Sequence, residues 1–225
     1  MALFANRRDA GRRLGEYIKA FAPNYLRNCD ALVLALPRGG VPVGYEVARA
    51  LALPMDVYVV RKLGVPWHQE LAMGAVASGG TYVIDEATVN MAGVTYDHLQ
   101  ATLARELAEL ERREIVYRGD RPEPDLLGKS VILVDDGLAT GASMYSAIAA
   151  LRRRKPANIA IAVPVAPANT CLELQYHADR VLCPYQLERF GAVGLYYVDF
   201  EQVGDDEVRR LLDQAERERR ESKVA

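Results

Sequence analysis

The chain has 225 residues, half of them apolar and about a quarter charged, the balance of a globular protein long enough to bury one substantial core. A formal net charge of -2 supplies no basic field for nucleic acid or an anionic membrane surface. No apolar run approaches the roughly 18 residues of a membrane span, and the N-terminus lacks a signal-type apolar stretch, so a cytoplasmic protein is expected.

Residues 7–21 place Ala10, Leu14, Tyr17, Ile18 and Phe21 at helical spacing, which predicts an amphipathic helix. Arg7, Arg8, Arg12 and Arg13 fall opposite and read as its solvated face. Asp30-Ala-Leu-Val-Leu-Ala-Leu36 is a short continuous apolar run, the pattern of a strand buried on both faces. It leads into Pro37-Arg38-Gly39-Gly40 and then a helix with Val43, Val47 and Leu51 inward. Two glycines at a strand's carboxyl end let backbone approach an anion closely, and Arg38 can donate to it. The same glycines would also suit a plain tight turn. Asp56-Val-Tyr-Val-Val60 predicts the next strand, delivering Arg61 and Lys62 to the edge that carries Arg38. Such a cation pair suits a leaving group with several charges.

Residues 63–73 are punctuated by Gly64 and Pro66, and contain Glu70 and the single tryptophan, Trp67. Apolar segments at 74–78 and 81–84 flank Gly79-Gly80 and predict a hairpin. From Thr95 to Tyr117, Leu99, Leu103, Leu107 and Leu110 form one stripe of a long helix. A turn-rich linker, Gly119-Asp-Arg-Pro-Glu-Pro124, precedes the stretch that organises the rest. There a buried strand from Val131 ends in Asp135 and Asp136, and Gly137-Leu138-Ala139-Thr140-Gly141-Ala142-Ser143 opens a helical pattern. The backbone amides and hydroxyls of such a loop wrap a phosphate at a helix N-terminus. Carboxylates beside that cradle would repel a bare phosphate; they suit sugar hydroxyls, with a hard cation nearby. A phosphorylated sugar is the ligand these residues suggest.

A helix with Met144, Ile148 and Leu151 inward follows, stopped by Pro156; strands at 158–163 and 180–183 bracket a helix at 168–177. Alternating strands and helices predict a parallel α/β sheet covered on both faces. Ligands bind such sheets at the carboxyl ends of the strands, where Arg38, Arg61, Lys62, Asp135 and Asp136 all fall. Pro184 to Phe200 is rich in aromatics, with Tyr185, Phe190, Tyr196, Tyr197 and Phe200. They would stack on a flat base or pack as an arm. Residues 205–220 read as a charged helix with Val208, Leu211 and Leu212 inward, and the tail from Glu216 as solvated or frayed. Cys29, Cys171 and Cys183 are odd in number and scattered, the pattern of reduced thiols, and His68, His98 and His177 lack metal-ligand spacing.

Val134-Asp135-Asp136-x-x-Ala139-Thr140-Gly141-x-Ser143 resembles the donor-binding motif of type I phosphoribosyltransferases. Their donor is 5-phosphoribosyl-1-pyrophosphate (PRPP). The chain as a whole is similar to a bacterial group of such proteins with no assigned acceptor. The resemblance implies one domain over 1–225: a core at about 30–185, a helical insertion at about 86–118 and a C-terminal hood or arm at about 184–225. It implies that Asp135 and Asp136 hold the ribose hydroxyls and that Gly137 to Ser143 hold the 5-phosphate. Arg38, Gly39, Gly40, Arg61 and Lys62 would hold pyrophosphate, the 37–40 loop often through an unusual peptide conformation. Residues 63–73 would form a mobile lid that excludes water, with Glu70 as a candidate acid/base. Tyr185, Phe190 and Tyr196 would face the acceptor. Mg2+ would ride on substrate oxygens and water, Asp135 and Asp136 acting on it only indirectly. The implied partners are PRPP, a small-molecule nitrogen acceptor and a second copy in a homodimer, with no nucleic acid or membrane. A non-catalytic protein sensing PRPP or a nucleotide is the alternative. Two departures bear on this: Ala139 stands where enzymes acting on 6-oxopurines carry an acid, which disfavours that acceptor class. Gly137 stands where a bulky apolar residue is usual, pointing to a looser loop.

Overall fold

A computed structural model describes residues 2–22 and 30–224; Cys29 lies outside them. Helix α1 (Arg7–Phe21) starts at Asn6, whose side chain accepts from the Asp9 amide, and matches the predicted span. Strand β1 (Ala31–Ala35) and helix α2 (Gly40–Leu51) follow, then β2 (Met55–Val57), β3 (Val60–Val65), β4 (His68–Ala77) and β5 (Thr81–Ile84). Helices α3 (Glu86–Met91) and α4 (Tyr96–Arg118) precede β6 (Ser130–Val134), α5 (Ala142–Arg153) and β7 (Asn158–Ala162). After β8 (Val165–Pro167), α6 (Ala168–Leu174), β9 (Arg180–Leu182) and β10 (Tyr185–Leu187), a 3-10 turn at Val193–Tyr196 leads to α7 (Asp205–Val224).

The architecture is mixed α/β, with a central parallel sheet in the order β2-β1-β6-β7-β9. Every residue of β1 and β6 is buried. Their side chains alternate between two cores, as the period of a strand requires. Val33, Ile132, Val134 and Ala160 face α1 and α2 through Leu14, Ile18, Val43 and Val47. Leu32, Leu34, Val131, Leu133, Ile159 and Ile161 face Met144, Ile148, Leu151 and Cys171 of α5 and α6. Pairing is in register from Ala31–Ser130 to Ala35–Val134, so β1 and β6 end level. The loops that follow them are therefore neighbours.

The region from 55 to 84 departs from expectation. The predicted strand over 56–60 is two strands. β2 belongs to the parallel sheet, and the chain then leaves through Tyr58 and Val59 to enter an antiparallel sheet, β3-β4-β5. Arg61 and Lys62 thus lie inside β3 rather than at a strand's end, and adjacent strand residues point to opposite faces. The expected lid over 63–73 is mostly β-structure: β3 and β4 form a hairpin with Pro66 and Trp67 at its turn. Trp67 is 57% exposed there and meets the His98 ring edge-on. The predicted 74–84 hairpin is present as β4–β5.

Helix α4 packs in a third layer. Leu103, Leu110 and Tyr117 of α4 join Leu63, Met73 and Val76 of the antiparallel sheet, with Val208, Leu211 and Leu212 of α7. Arg118 anchors its end to β2, with Nε 2.9 Å from Asp56 Oδ2 and Nη2 donating to the Val57 carbonyl. The tail from Glu216 continues the helix instead of fraying; Tyr45 Oη donates to Glu218 at 2.7 Å.

Candidate active site

The site is built where β1 and β6 end. The Asp136 amide donates to Asp135 Oδ1 at 2.9 Å, which folds the first carboxylate back over the strand end. Asp136 Oδ2 instead accepts from Arg7 Nε of α1 at 2.7 Å. The Asp136 carbonyl accepts from Tyr197 Oη. Beside this pair runs the 37–40 loop, entered through a cis peptide between Pro37 and Arg38. A Cβ on Gly39 would collide with Asp136 Oδ2 and stand 2.8 Å from its carboxyl carbon. One on Gly40 would lie 2.8 Å from the Val134 carbonyl oxygen and 3.0 Å from Asp135 Cα. Only glycine lets the two loops close on each other.

The loop after the acid pair lines an open cavity of about 250 Å³, together with Asp135, Met144 and Val193. Gly141, in the left-handed region at φ 74°, turns the chain into α5, whose first-turn amides have no partner within the helix. Thr140 and Ser143 are exposed at the mouth. The loop is tethered from below by Leu138 N to the Val165 carbonyl, 3.1 Å, and by Thr170 Oγ1 to the Ala139 carbonyl, 3.2 Å. Gly137, from which a looser loop is expected, sits against its neighbours. A Cβ there would stand 2.6 Å from Val193 Cγ1 and 3.2 Å from the Val165 carbonyl oxygen. Val193 fills the space beside the loop, so glycine answers close packing.

Burial, and next the charge of Asp136, push the Asp135 carboxyl well above the ordinary carboxylate range. Burial also raises Asp136, with Arg7 opposing the shift. Two desolvated carboxylates sharing one neighbouring guanidinium make a site short of positive charge.

The other predicted residues are placed as follows. Arg38 lies on the loop beside the acid pair, its Nη1 3.7 Å from Asp205 Oδ1 at the start of α7. Arg61 is drawn to α4, its Nη2 2.5 Å from Glu106. Lys62 pairs with Glu70 at 3.2 Å, and the Glu70 side chain is 88% exposed. Tyr185, Phe190 and Tyr196 do not line the cavity. They are half-buried in a cluster with Phe4 and Tyr197, where Tyr185 meets Phe4 edge-on and Phe190 lies against Tyr196. Apolar rings next to the buried Phe4 gain more from that packing than from facing the cleft. Val193 is what this segment contributes to the wall. Residues missed by sequence reasoning are Arg7, Tyr197 and Val193. Arg7 sits opposite the apolar stripe of α1, the expected solvated face, yet it crosses 129 positions of sequence to reach Asp136. Helical periodicity carries no signal for such a contact.

The family model for the phosphoribosyl transferase domain matches residues 10–201. The chain belongs to that family. Over 218 residues it is 39% identical to a protein named "putative phosphoribosyl transferase" from Mycobacterium tuberculosis H37Rv, an alignment covering 97% of this chain and 48% of that protein. The counterpart in strain CDC 1551 matches equally. The chain thus spans about half the length of the curated relatives it matches. The crystal structure of TT1426 from Thermus thermophilus superposes with a TM-score of 0.83 at 39% identity, covering 95% of this chain and 99% of that one. Among the described residues of this phosphoribosyl transferase domain, no helix is long and apolar enough to cross a membrane. Nor do three or more His, Cys, Asp or Glu residues gather to hold a metal ion there.

Proposed function

We propose that this domain transfers a 5-phosphoribosyl group from PRPP to a nitrogen acceptor and releases pyrophosphate. The observation that carries the reading is the contact of the 37–40 loop with the acid pair, Gly39 against Asp136 and Gly40 against Asp135. That contact gathers three chemistries at one sheet edge: a glycine–arginine loop for a diphosphate, carboxylates for ribose hydroxyls, and a helix N-terminus for a phosphate. In this reading Asp135 and Asp136 accept from the ribose hydroxyls. The backbone of Gly137 to Gly141, with Thr140 and Ser143, takes the 5-phosphate. Arg38, Gly39 and Gly40 take the pyrophosphate. Arg61 and Lys62 engage it only by giving up Glu106 and Glu70.

The nitrogen lone pair forms the new bond to the anomeric carbon as the bond to pyrophosphate breaks with its electron pair, through an oxocarbenium-like state. The chain contributes orientation, charge stabilisation at the leaving oxygen and exclusion of water. Two desolvated carboxylates, with the one guanidinium in contact paired to Asp136, fit a hard divalent cation. Asp135 and Asp136 would hold Mg2+ through water and substrate oxygens, and its charge would offset that of the departing pyrophosphate. With alanine at 139, no side chain is available there to protonate a 6-oxopurine. This disfavours 6-oxopurines among the nitrogen acceptors.

Pyrophosphate release from Mg–PRPP, with purine and pyrimidine bases supplied in pools, tests the reading. Release that needs one base, and that falls roughly a hundredfold or more in Asp135→Asn/Asp136→Asn, supports it. PRPP binding without release for any acceptor would turn the same site into a sensor.

A further inference from the structure

We infer that Arg7 is a positioning residue of the donor site, fixing the Asp136 carboxylate from the first turn of α1. The inference deepens the donor reading and rests on it. Arg7 is the first residue of α1, where a cation opposes the helix dipole. Its side chain is also largely withdrawn from water, at 11% exposure, which disfavours a charge further. A residue placed against both local preferences is held there by something else. Three contacts hold it: the guanidinium lies 3.7 Å above the Phe200 ring centroid, Nη1 donates to the Glu201 carbonyl at 2.7 Å, and Nε donates to Asp136 Oδ2 at 2.7 Å.

The three partners divide into a mount and a target. Phe200 and Glu201 belong to the C-terminal arm, which is itself tied to the segment before α1 by Tyr196 carbonyl bonds to the Leu3 and Phe4 amides. Asp136 is the target. Its backbone is pinned separately by Tyr197 Oη, and Gly39 closes one side of its carboxylate. With Asp135 on its own strand end, Asp136 faces a like charge. Arg7 is the cation in contact with it, while Arg38 of the adjoining loop is turned to Asp205. Without Arg7 the carboxylate would be free to rotate and would lose its counter-charge. Its Oδ1 could then no longer be presented to the ribose in one orientation. Arg7 itself touches no donor atom in this account; it acts through Asp136.

The test combines a ligand-free spectroscopic reading with donor binding by the whole chain. In the ligand-free protein, the Arg7 Nε–H resonance should be exchange-protected and should move in Asp136→Asn. An Nε–H signal indifferent to that substitution overturns the inference. Calorimetry with Mg–PRPP should then show Arg7→Gln weakened about tenfold to a hundredfold, the range for residues that orient a binding group from behind. Arg7→Lys, which keeps the charge, should recover part of that loss. Arg7→Gln/Asp136→Asn should be no weaker than Asp136→Asn alone, because the two residues act as one unit. A clamp that merely tethers α1 to the arm would instead lower the melting temperature of Arg7→Gln and leave donor affinity within about twofold of wild type. That result, beside a wild-type protein that binds PRPP, overturns the inference alone. Wild-type protein that binds no PRPP overturns the donor reading and the inference with it.

Discussion

Two regions carry the residues expected at the site, and they behave differently. At the carboxyl edge of the parallel sheet, β1 and β6 end level and their loops touch, so Gly39, Gly40, Asp135 and Asp136 are fixed by backbone packing. In the antiparallel layer, Arg61 and Lys62 are consecutive on β3, and each is held by its own carboxylate, Glu106 or Glu70. The first arrangement is preorganised without a ligand. The second needs a carboxylate displaced before either cation can serve an anion. Convergence at a strand end comes from register, whereas neighbouring positions within a strand diverge.

The largest effect that would break this comparison comes from the tightest contact. Gly39→Ala should place a methyl against Asp136 Oδ2 and force the loops apart. We expect donor affinity to fall about a hundredfold, together with an overpacking cost of about 1–3 kcal/mol, read by calorimetry and urea unfolding. A Gly39→Ala protein with unchanged affinity would mean that the loop contact is incidental.

The cations give the next contrast. Arg38→Ala should weaken Mg–PRPP about tenfold while changing stability little, since both it and its partner Asp205 are partly solvated and the pair is 3.7 Å apart. Arg61→Ala should do the reverse. It removes the 2.5 Å partner of Glu106, whose side chain is only 10% exposed and keeps only the longer 3.0 Å pair with Arg105 among its described ion pairs. Stability should fall by about 1–3 kcal/mol with less than threefold change in affinity. Equal losses of affinity in both variants would show that β3 joins the site when donor binds.

A third expectation concerns charge at the edge itself. Burial raises both carboxyls above the ordinary value of 3.8, Asp135 further through the charge of Asp136. A carboxyl raised in the native state binds its proton more tightly there than in the unfolded chain. Its favourable contribution is therefore present near and below pH 3.8 and is lost as pH rises through the raised value. At neutral pH, where the aspartates of the unfolded chain are ionised, burial of the pair opposes folding. Asp135→Asn keeps the acceptor for the Asp136 amide and removes one charge, so it should melt higher than wild type at pH 7, by about 2–4 °C per kcal/mol relieved. The gain should shrink at pH 4. A lower melting temperature at pH 7 would mean that the pair is already compensated.

The parallel sheet and its edge were legible because their signals are local. Ala31 to Ala35 and Val131 to Val134 are continuous apolar runs, and the acids and glycines follow them directly. The 56–62 stretch misled because Tyr58 and Val59 are as apolar as a strand's interior, so nothing in the pattern marks the switch from one sheet to another. Arg7 misled for a different reason: facing away from the α1 apolar stripe is the ordinary sign of solvent, and the arm that covers it comes from the other end of the chain. Gly137 was visible as an anomaly, but its cause, Val193, lies 56 residues on by the numbering. Local chemistry was readable; the long-range partner that completes it was not.

The smallest expected effect is at Glu70, and it sharpens the comparison most directly. Its side chain is 88% exposed, and its partner Lys62 is 41% exposed, the setting in which an ion pair contributes little. As the structure stands, Glu70→Gln should shift stability by less than about 0.5 kcal/mol. It should change turnover by less than about twofold and leave the pH dependence of turnover unmoved, because the Glu70 carboxylate is solvated on the hairpin and does not line the cavity. A fall in turnover of about a hundredfold, with loss of one limb of the pH profile, would require the β3–β4 hairpin to swing over the cleft during reaction. Lys62 would then arrive beside the pyrophosphate on the same movement, and the antiparallel layer would count as part of the site in its closed form.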